Sequence, residues 1–261
     1  MDAIAEAASL FAAARLSKLP VDELPLRPKD EAEAYAIQSA VHRLIARSRF
    51  GEVAGYKVGC ATPVMQKYLG IRQPCFGAVF AGTMYPSGAA LRHETFFQIG
   101  VEGALAVRLG RDLSATEGPY DARKVEDAVR SYMPAIEVVD NRYEDWHTVD
   151  TATLIADDFF AAASVLGEPV SRQDVADVAR LSGVATVNGS EVGRCRSSDI
   201  MGHPLNAVAW LANALIGQRD SLKVGDTVLL GGLTQTSWLD VGDTATFQLE
   251  GLGDRVEVSV K

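Results

Sequence analysis

The sequence is poor in the residues that build covalent or thiolate frameworks. Its three cysteines, Cys60, Cys75 and Cys195, are far apart and form no C-x-x-C pair, so neither a zinc knuckle nor a dithiol redox motif is indicated. They read as small buried hydrophobes. Basic residues are outnumbered, 25 Lys and Arg against 34 Asp and Glu, for a net charge of -9. That balance argues against a nucleic-acid footprint, which needs a basic patch, although a local lysine can still serve an anionic ligand. No apolar run is long enough to span a bilayer, so no membrane partner is expected. The N-terminus, MDAIAEAASLFAAARL, carries Asp2 and Glu6 where a secretory signal needs positive charge. A cytoplasmic location is the expectation. GGLTQT is rich in small residues but lacks the G-x-x-x-x-G-K-[ST] pattern of a phosphate loop. No Ser-His-Asp or Cys-His arrangement can be assembled from the sequence, and there is no internal repeat, low-complexity segment or linker.

What remains is an ordinary globular composition, 48% hydrophobic and 23% charged over 261 residues, long enough for a substantial core. Ile4, Ala8, Leu10 and Phe11 are spaced for an amphipathic helix. Ala34, Ile37, Val41, Leu44 and Ile45 predict a second helix between about residues 30 and 49. From Gly51 to Leu113 the texture changes to short apolar runs separated by glycine, which read as strands and tight turns. Residues 121 to 132 predict a helix with Asp121 as N-cap, PAIEVVD a buried strand, and residues 171 to 180 a short helix. Asn188-Gly189 between two β-prone runs predicts a hairpin. HPLNAVAWLANALIGQ predicts a helix, and DTVLLGG, TATFQLEG and DRVEVSVK closing strands. The expected class is α+β, with a helical N-terminal segment (1–50) packed on a β-rich body (51–261) in a single structural unit.

Two glutamates stand out in apolar strands. Glu102 lies in GVEGALAVRL and Glu137 in PAIEVVD, where unpaired burial of either would be costly. Side chains two apart on a strand share a face, and carboxylates gathered from neighbouring strands suit a hard cation such as Mg2+ or Mn2+. Lys57, in the Gly-flanked GYKVGC, can snorkel at an edge, anchor an anion or donate a proton.

Together AEAYAIQ, GYKVGCA, LGIRQPCFG, VEGALAVRLGRDL, PAIEVVDNRYEDW, IADD, GHPLNAVAWLAN and GDTVLLGGLT, in that order from about residue 30 onward, resemble the hydratase/decarboxylase branch of the fumarylacetoacetate hydrolase superfamily. The resemblance implies a rolled, mixed β-sheet body with helices at its N-terminal side, and a homo-oligomeric assembly. It also implies a lyase, of hydratase or decarboxylase type, acting on a small unsaturated 2-oxo or 2-hydroxy acid of aromatic catabolism. In that family a divalent metal, held by an E-x-E strand and a later Glu, chelates the substrate and stabilises an enolate. Carried onto this chain, the ligands are Glu102 and Glu137, with Lys57 as a charge on the substrate side.

The chain departs from the pattern in three places. Ala104 occupies the position of the second Glu, which should weaken a Mg2+ site. Cys75 in QPCFG, a candidate catalytic residue, stands where many hydratases have an Asp that is a candidate proton-transfer group; decarboxylases of the family also lack that Asp, and GGLT and DNRYEDW lean towards their pattern. In IADDFF, Asp158 replaces an Asn and is read either as a candidate site residue that restores the missing charge or as hydrogen-bonded structure, while Phe159 and Phe160 are read as core or as narrowing the pocket. The alternative reading is a metal-free homologue that binds a small ligand or runs other chemistry. Among the histidines, His203 is expected to cap a helix, His147 to lie on a solvent-facing loop and His42 on a helix surface.

Overall fold

The first helix, α1 (Ala3–Ser17), buries Ala7, Ala8, Phe11, Ala12, Ala14 and also Arg15. The computed structural model describes residues 3–21 and 24–261, so Asp2 lies outside the described residues. α2 (Glu31–Ile45) starts where Asp30 accepts a hydrogen bond from the Glu33 N–H at 2.9 Å, satisfying one of the orphan donors of a helix start. Its buried stripe includes Ile37, Val41 and Ile45. Leu44, expected on that stripe, is exposed. Further helices are α3 (Pro63–Leu69), α4 (Ala122–Glu126), α5 (Thr151–Ala156) and α6 (Pro204–Gly217). His203 caps α6, its Nδ1 accepting from the Leu205 N–H at 3.2 Å.

Strands run through the rest of the chain. The first seven are β1 (Val53–Gly59), β2 (Cys75–Phe80), β3 (Met84–Pro86), β4 (Ala89–Leu91), β5 (Ile99–Leu109), β6 (Val129–Asp140) and β7 (Ala161–Leu166). They are followed by β8 (Val170–Ser171), β9 (Ser182–Val187), β10 (Ser190–Arg196), β11 (Thr227–Gly232), β12 (Ser237–Trp238), β13 (Thr244–Leu249) and β14 (Val256–Val260). The larger sheet runs β2-β1-β11-β5-β6-β7-β3, with β12 paired to β5 and β8 to β6; the smaller runs β10-β9-β13-β14-β4. Both are mixed: β1 and β11 are parallel, as are β3 and β7 and β14 and β4. The sheets meet where the Phe247 ring lies over Gly103. A Cβ at Gly103 would come within 2.3 Å of that ring, so only glycine permits the approach.

The segment from Asp121 to Tyr132 differs from expectation. Asp121 caps a helix, but α4 ends at Glu126 and the chain is already strand from Val129. β6 pairs with β5 along its whole length, and the ladder claims residues whose local pattern also suits a helix. Likewise residues 171 to 180 hold two short 3-10 turns rather than a helix. The hairpin forms as expected, with Asn188 and Gly189 at φ 51° and 78° between β9 and β10. α3 and α5 carry no long periodic pattern and appear only in the structure.

Candidate active site

Glu102 on β5 and Glu137 on β6 are direct cross-strand partners, which places their side chains on one face of the larger sheet. Both are buried. Lys57 comes from β1, three strands away along β1-β11-β5-β6, yet its ammonium bonds Glu137 Oε1 directly. In a flat sheet three strand spacings would separate the backbones by about 14 Å. The contact therefore depends on the sheet curving between them, and β11 breaks register between Leu229 and Gly232, an irregularity of the kind that bends a strand. Lys57 also donates to the Phe159 carbonyl at 2.6 Å.

The carboxylates differ in their surroundings. Glu102 Oε1 accepts from the Thr236 hydroxyl at 2.6 Å. Burial, and then the neighbouring charge of Glu137, push its pKa up to about 8, against the opposing effects of Thr236 and Lys57. Gly232 leaves room for the other oxygen: a Cβ there would lie 2.0 Å from Glu102 Oε2.

Above this polar floor is a narrow cleft with a free interior of about 30 Å³. Its walls are Met65, Tyr68, Leu69, Val139, Trp146, Phe159, Phe160 and Trp238, with Gly59 and Cys60 beside Lys57. The rings of Tyr68 and Trp146 lie 5.4 Å apart at their centroids, and Trp146 stands edge-on to Phe160. A substrate larger than a water or two has to part these side chains to enter.

Phe159 and Phe160 reach the cleft because the backbone turns left-handed. Asp158, Phe159 and Phe160 have φ of 57°, 52° and 62°, a conformation that costs an L-residue roughly 1–2 kcal/mol each. Surrounding bonds hold the turn. The Phe159 N–H donates to the Leu154 carbonyl at 2.7 Å, and the Phe160 carbonyl accepts from the Asp140 N–H at 3.0 Å.

The structure brings Lys57, Glu102 and Glu137 together and sets the other two sequence candidates apart from them. Asp158 is fully buried, but it faces away from the cleft. Its carboxylate pairs with Arg15, meets His42 Nε2 at 2.7 Å and accepts from the Ala78 N–H at 2.9 Å. Burial alone would raise this carboxyl; the charges of His42 and Arg15 outweigh it and hold it well below the usual carboxylate range. Asp158 therefore supplies no charge to the Glu pair. His42, expected on a helix surface, is drawn inward by this contact. Cys75 sits behind the cleft wall, fully buried, with burial and the Cys60 thiol raising its pKa well above the ordinary value. It remains a neutral thiol. His147 is exposed, stacked on Trp146 and bonded to Asp145.

Sequence reasoning missed Thr236, Trp238, Tyr68 and Cys60. Thr236, Trp238 and Tyr68 belong to no motif that points to the cleft, and Cys60 reads locally as a small buried hydrophobe beside Lys57.

Two hard carboxylates facing one point can hold a divalent cation whose other positions go to water or substrate, and Glu102 and Glu137 both line the cleft. Ala104 leaves the site one carboxylate short. It is buried among Val79, Ala106, Ala135, Met133 and Leu229, and no cluster of three His, Cys, Asp or Glu side chains suited to a metal occurs among the described residues. The residues thus fit a two-carboxylate site.

Residues 67–259 match the fumarylacetoacetate (FAA) hydrolase C-terminal family. The chain belongs to this family. Among relatives, a 2-keto-4-pentenoate hydratase of Paraburkholderia phymatum is 36% identical over 235 residues, covering 88% of this chain and 87% of its own. A 2-hydroxyhexa-2,4-dienoate hydratase of Comamonas testosteroni is 32% identical, covering 85% of this chain and 83% of its own. The structure of a 4-oxalocrotonate decarboxylase from Pseudomonas putida G7, complexed with magnesium and adipate, superposes with a TM-score of 0.88 at 24% identity over 99% of this chain and 97% of its own. The mixed helix-and-sheet architecture is therefore the fumarylacetoacetate hydrolase fold.

Proposed function

We propose that the protein is a lyase of the hydratase type, adding water to a short, unsaturated 2-hydroxy or 2-oxo monocarboxylic acid, and that Glu102 and Glu137 would hold Mg2+ or Mn2+. The observation that carries this is the convergence of Glu102, Glu137 and Lys57 at the floor of an apolar, aromatic-walled cleft. Similarity to hydratases at 32% identity and above supports the reaction type. The lining supports the substrate class. Lys57 is the one cationic side chain among the described residues of the cleft, so a second carboxylate at the far end of a substrate would be desolvated without a counter-charge.

When bound, the cation would supply Lewis-acid polarisation of the substrate's carboxylate and 2-oxygen, making the enolate accessible. This chain's own residues do the rest. Glu102, fixed by Thr236, and Glu137, fixed by Lys57, present their oxygens in one orientation. An ammonium has three N–H groups; Lys57 gives one to Glu137 and one to Phe159, leaving one for an anionic substrate oxygen. The rings of Trp146, Phe159 and Phe160 hold the conjugated chain and exclude bulk water.

A second reading, a metal-free homologue, is favoured by Ala104 and by the Lys57 ammonium already in place on Glu137. Calorimetry of chelator-stripped protein with Mg2+ and Mn2+, with and without oxalate, separates the two. Micromolar binding that oxalate tightens is the expected result. No binding at millimolar metal with oxalate present would leave the metal-free reading. Loss of dienol absorbance without release of carbon dioxide would identify hydration over decarboxylation.

A further inference from the structure

A second cavity, of about 290 Å³, lies between the end of α1, the turn after α2 and the segment from Ala90 to Phe97. Its charged lining is Arg15, Lys18, Arg49, Arg92 and Arg142 against one carboxylate, Asp140. On a chain of net charge -9, this is a local reversal of sign.

The cations are not equally neutralised. Arg15 is paired with Asp158 and Arg142 with Asp157, while Arg92 lies 3.5 Å from the exposed Glu94. Asp140 is engaged by the Phe97 and Gln98 N–H groups at 2.8 and 3.0 Å. Lys18 and Arg49 have no carboxylate within ion-pair distance among the described residues. Backbone carbonyls aim them instead. Lys18 donates to the Glu94 carbonyl at 2.8 Å, and Arg49 to the Leu16 and Arg15 carbonyls at 3.2 and 3.3 Å. Ring faces support both heads, Lys18 over Phe97 and Arg49 over Phe50. A neutral carbonyl orients a cation without cancelling its charge, and both heads keep unused donors. Ordered cations at the rim of a cavity are the usual recognition elements for a compact oxyanion.

We propose that this cavity binds a small dianion, of the phosphate or short dicarboxylate class, through Lys18 and Arg49. The site is separate from the Glu102–Glu137 cleft and does not depend on the reaction assigned there. Inorganic phosphate supplies one charge-dense group; succinate supplies two carboxylates that Lys18 and Arg49 can take separately. The relative affinity of these probes distinguishes the two classes.

The test is calorimetric titration of the full chain, freed of metal by chelator, with phosphate and then with succinate. Lys18→Gln and Arg49→Gln keep N–H donors for the same carbonyls but remove the charge, so the local structure is retained; far-UV circular dichroism checks this. Saturable binding of at least one probe is expected, weakened about ten-fold or more by either substitution and unchanged by Lys57→Gln. The proposal is overturned if neither probe saturates in the millimolar range. It is equally overturned if binding survives both rim substitutions, or if Lys57→Gln abolishes it and so assigns it to the cleft.

Discussion

The guanidinium of Arg15, on the first helix, closes on the carboxylate of Asp158, 143 positions further along the chain. Both side chains are buried, and the same guanidinium donates to the Ala161 carbonyl at 3.0 Å. Between those two anchors lie Phe159 and Phe160, the left-handed residues that wall the cleft and whose first carbonyl receives Lys57. The N-terminal helices thus hold the candidate active site without touching it.

Arg15→Met should destabilise the fold by about 3–5 kcal/mol, because it leaves a buried carboxylate with His42 and one N–H as partners. Urea unfolding measures this. Arg15→Lys, which keeps the charge but not the fork that reaches Ala161, should lose less. Turnover should fall more than stability requires at temperatures where Arg15→Lys is fully folded, since the Phe159 carbonyl shifts relative to Lys57. Full turnover in that variant would show the clamp to be structural alone.

Acid sensitivity should follow from the same carboxylate. The Asp158 pKa in the folded protein is depressed, so its contribution is complete above the unfolded value near 3.9 and declines below it by up to about 1.4 kcal/mol per pH unit. The stability difference between wild type and Asp158→Asn should shrink as the pH falls below about 4. A difference that grew on acidification would contradict the sign of the shift.

Gly232→Ala places a methyl group 2.0 Å from the present position of Glu102 Oε2. Metal affinity and turnover should each fall about ten-fold or more, while the melting temperature changes little because the neighbouring strand pairing is kept. Calorimetry and thermal unfolding on one preparation test this. Unaltered metal binding would remove Glu102 from the ligand set.

Ala104→Glu returns a carboxylate to the face that carries Glu102, opposite the small Ala135 and Gly232. Mg2+ affinity should tighten about ten-fold or more. Apo stability should drop, since the new charge enters a cluster of Val79, Met133 and Leu229. If affinity is unchanged, Glu102 and Glu137 are not the ligands of a divalent ion.

Much of this was legible in the chain itself where the signal is local. Asp121 begins a helix because its side-chain oxygen satisfies the free N–H three residues further on. Asn188-Gly189 turns because those residues tolerate positive φ. Glu102 and Glu137 were visible as charges inside apolar strands, and the ordered motifs around them marked the family. Other features are decided by contacts between distant segments. The helical pattern after Asp121 loses to a strand because β5 offers Val129–Asp140 a complete ladder. His42 looks like a surface residue until Asp158 arrives from the far side of the sequence. The charge of Asp158 is plain in the sequence, but a charge pattern has no direction, and the left-handed turn aims it at Arg15. Lys57 reaches Glu137 only because the sheet between them rolls. Residue type and spacing therefore determined which groups could do chemistry, while the curvature of the sheet and the path of one strained turn decided which of them meet.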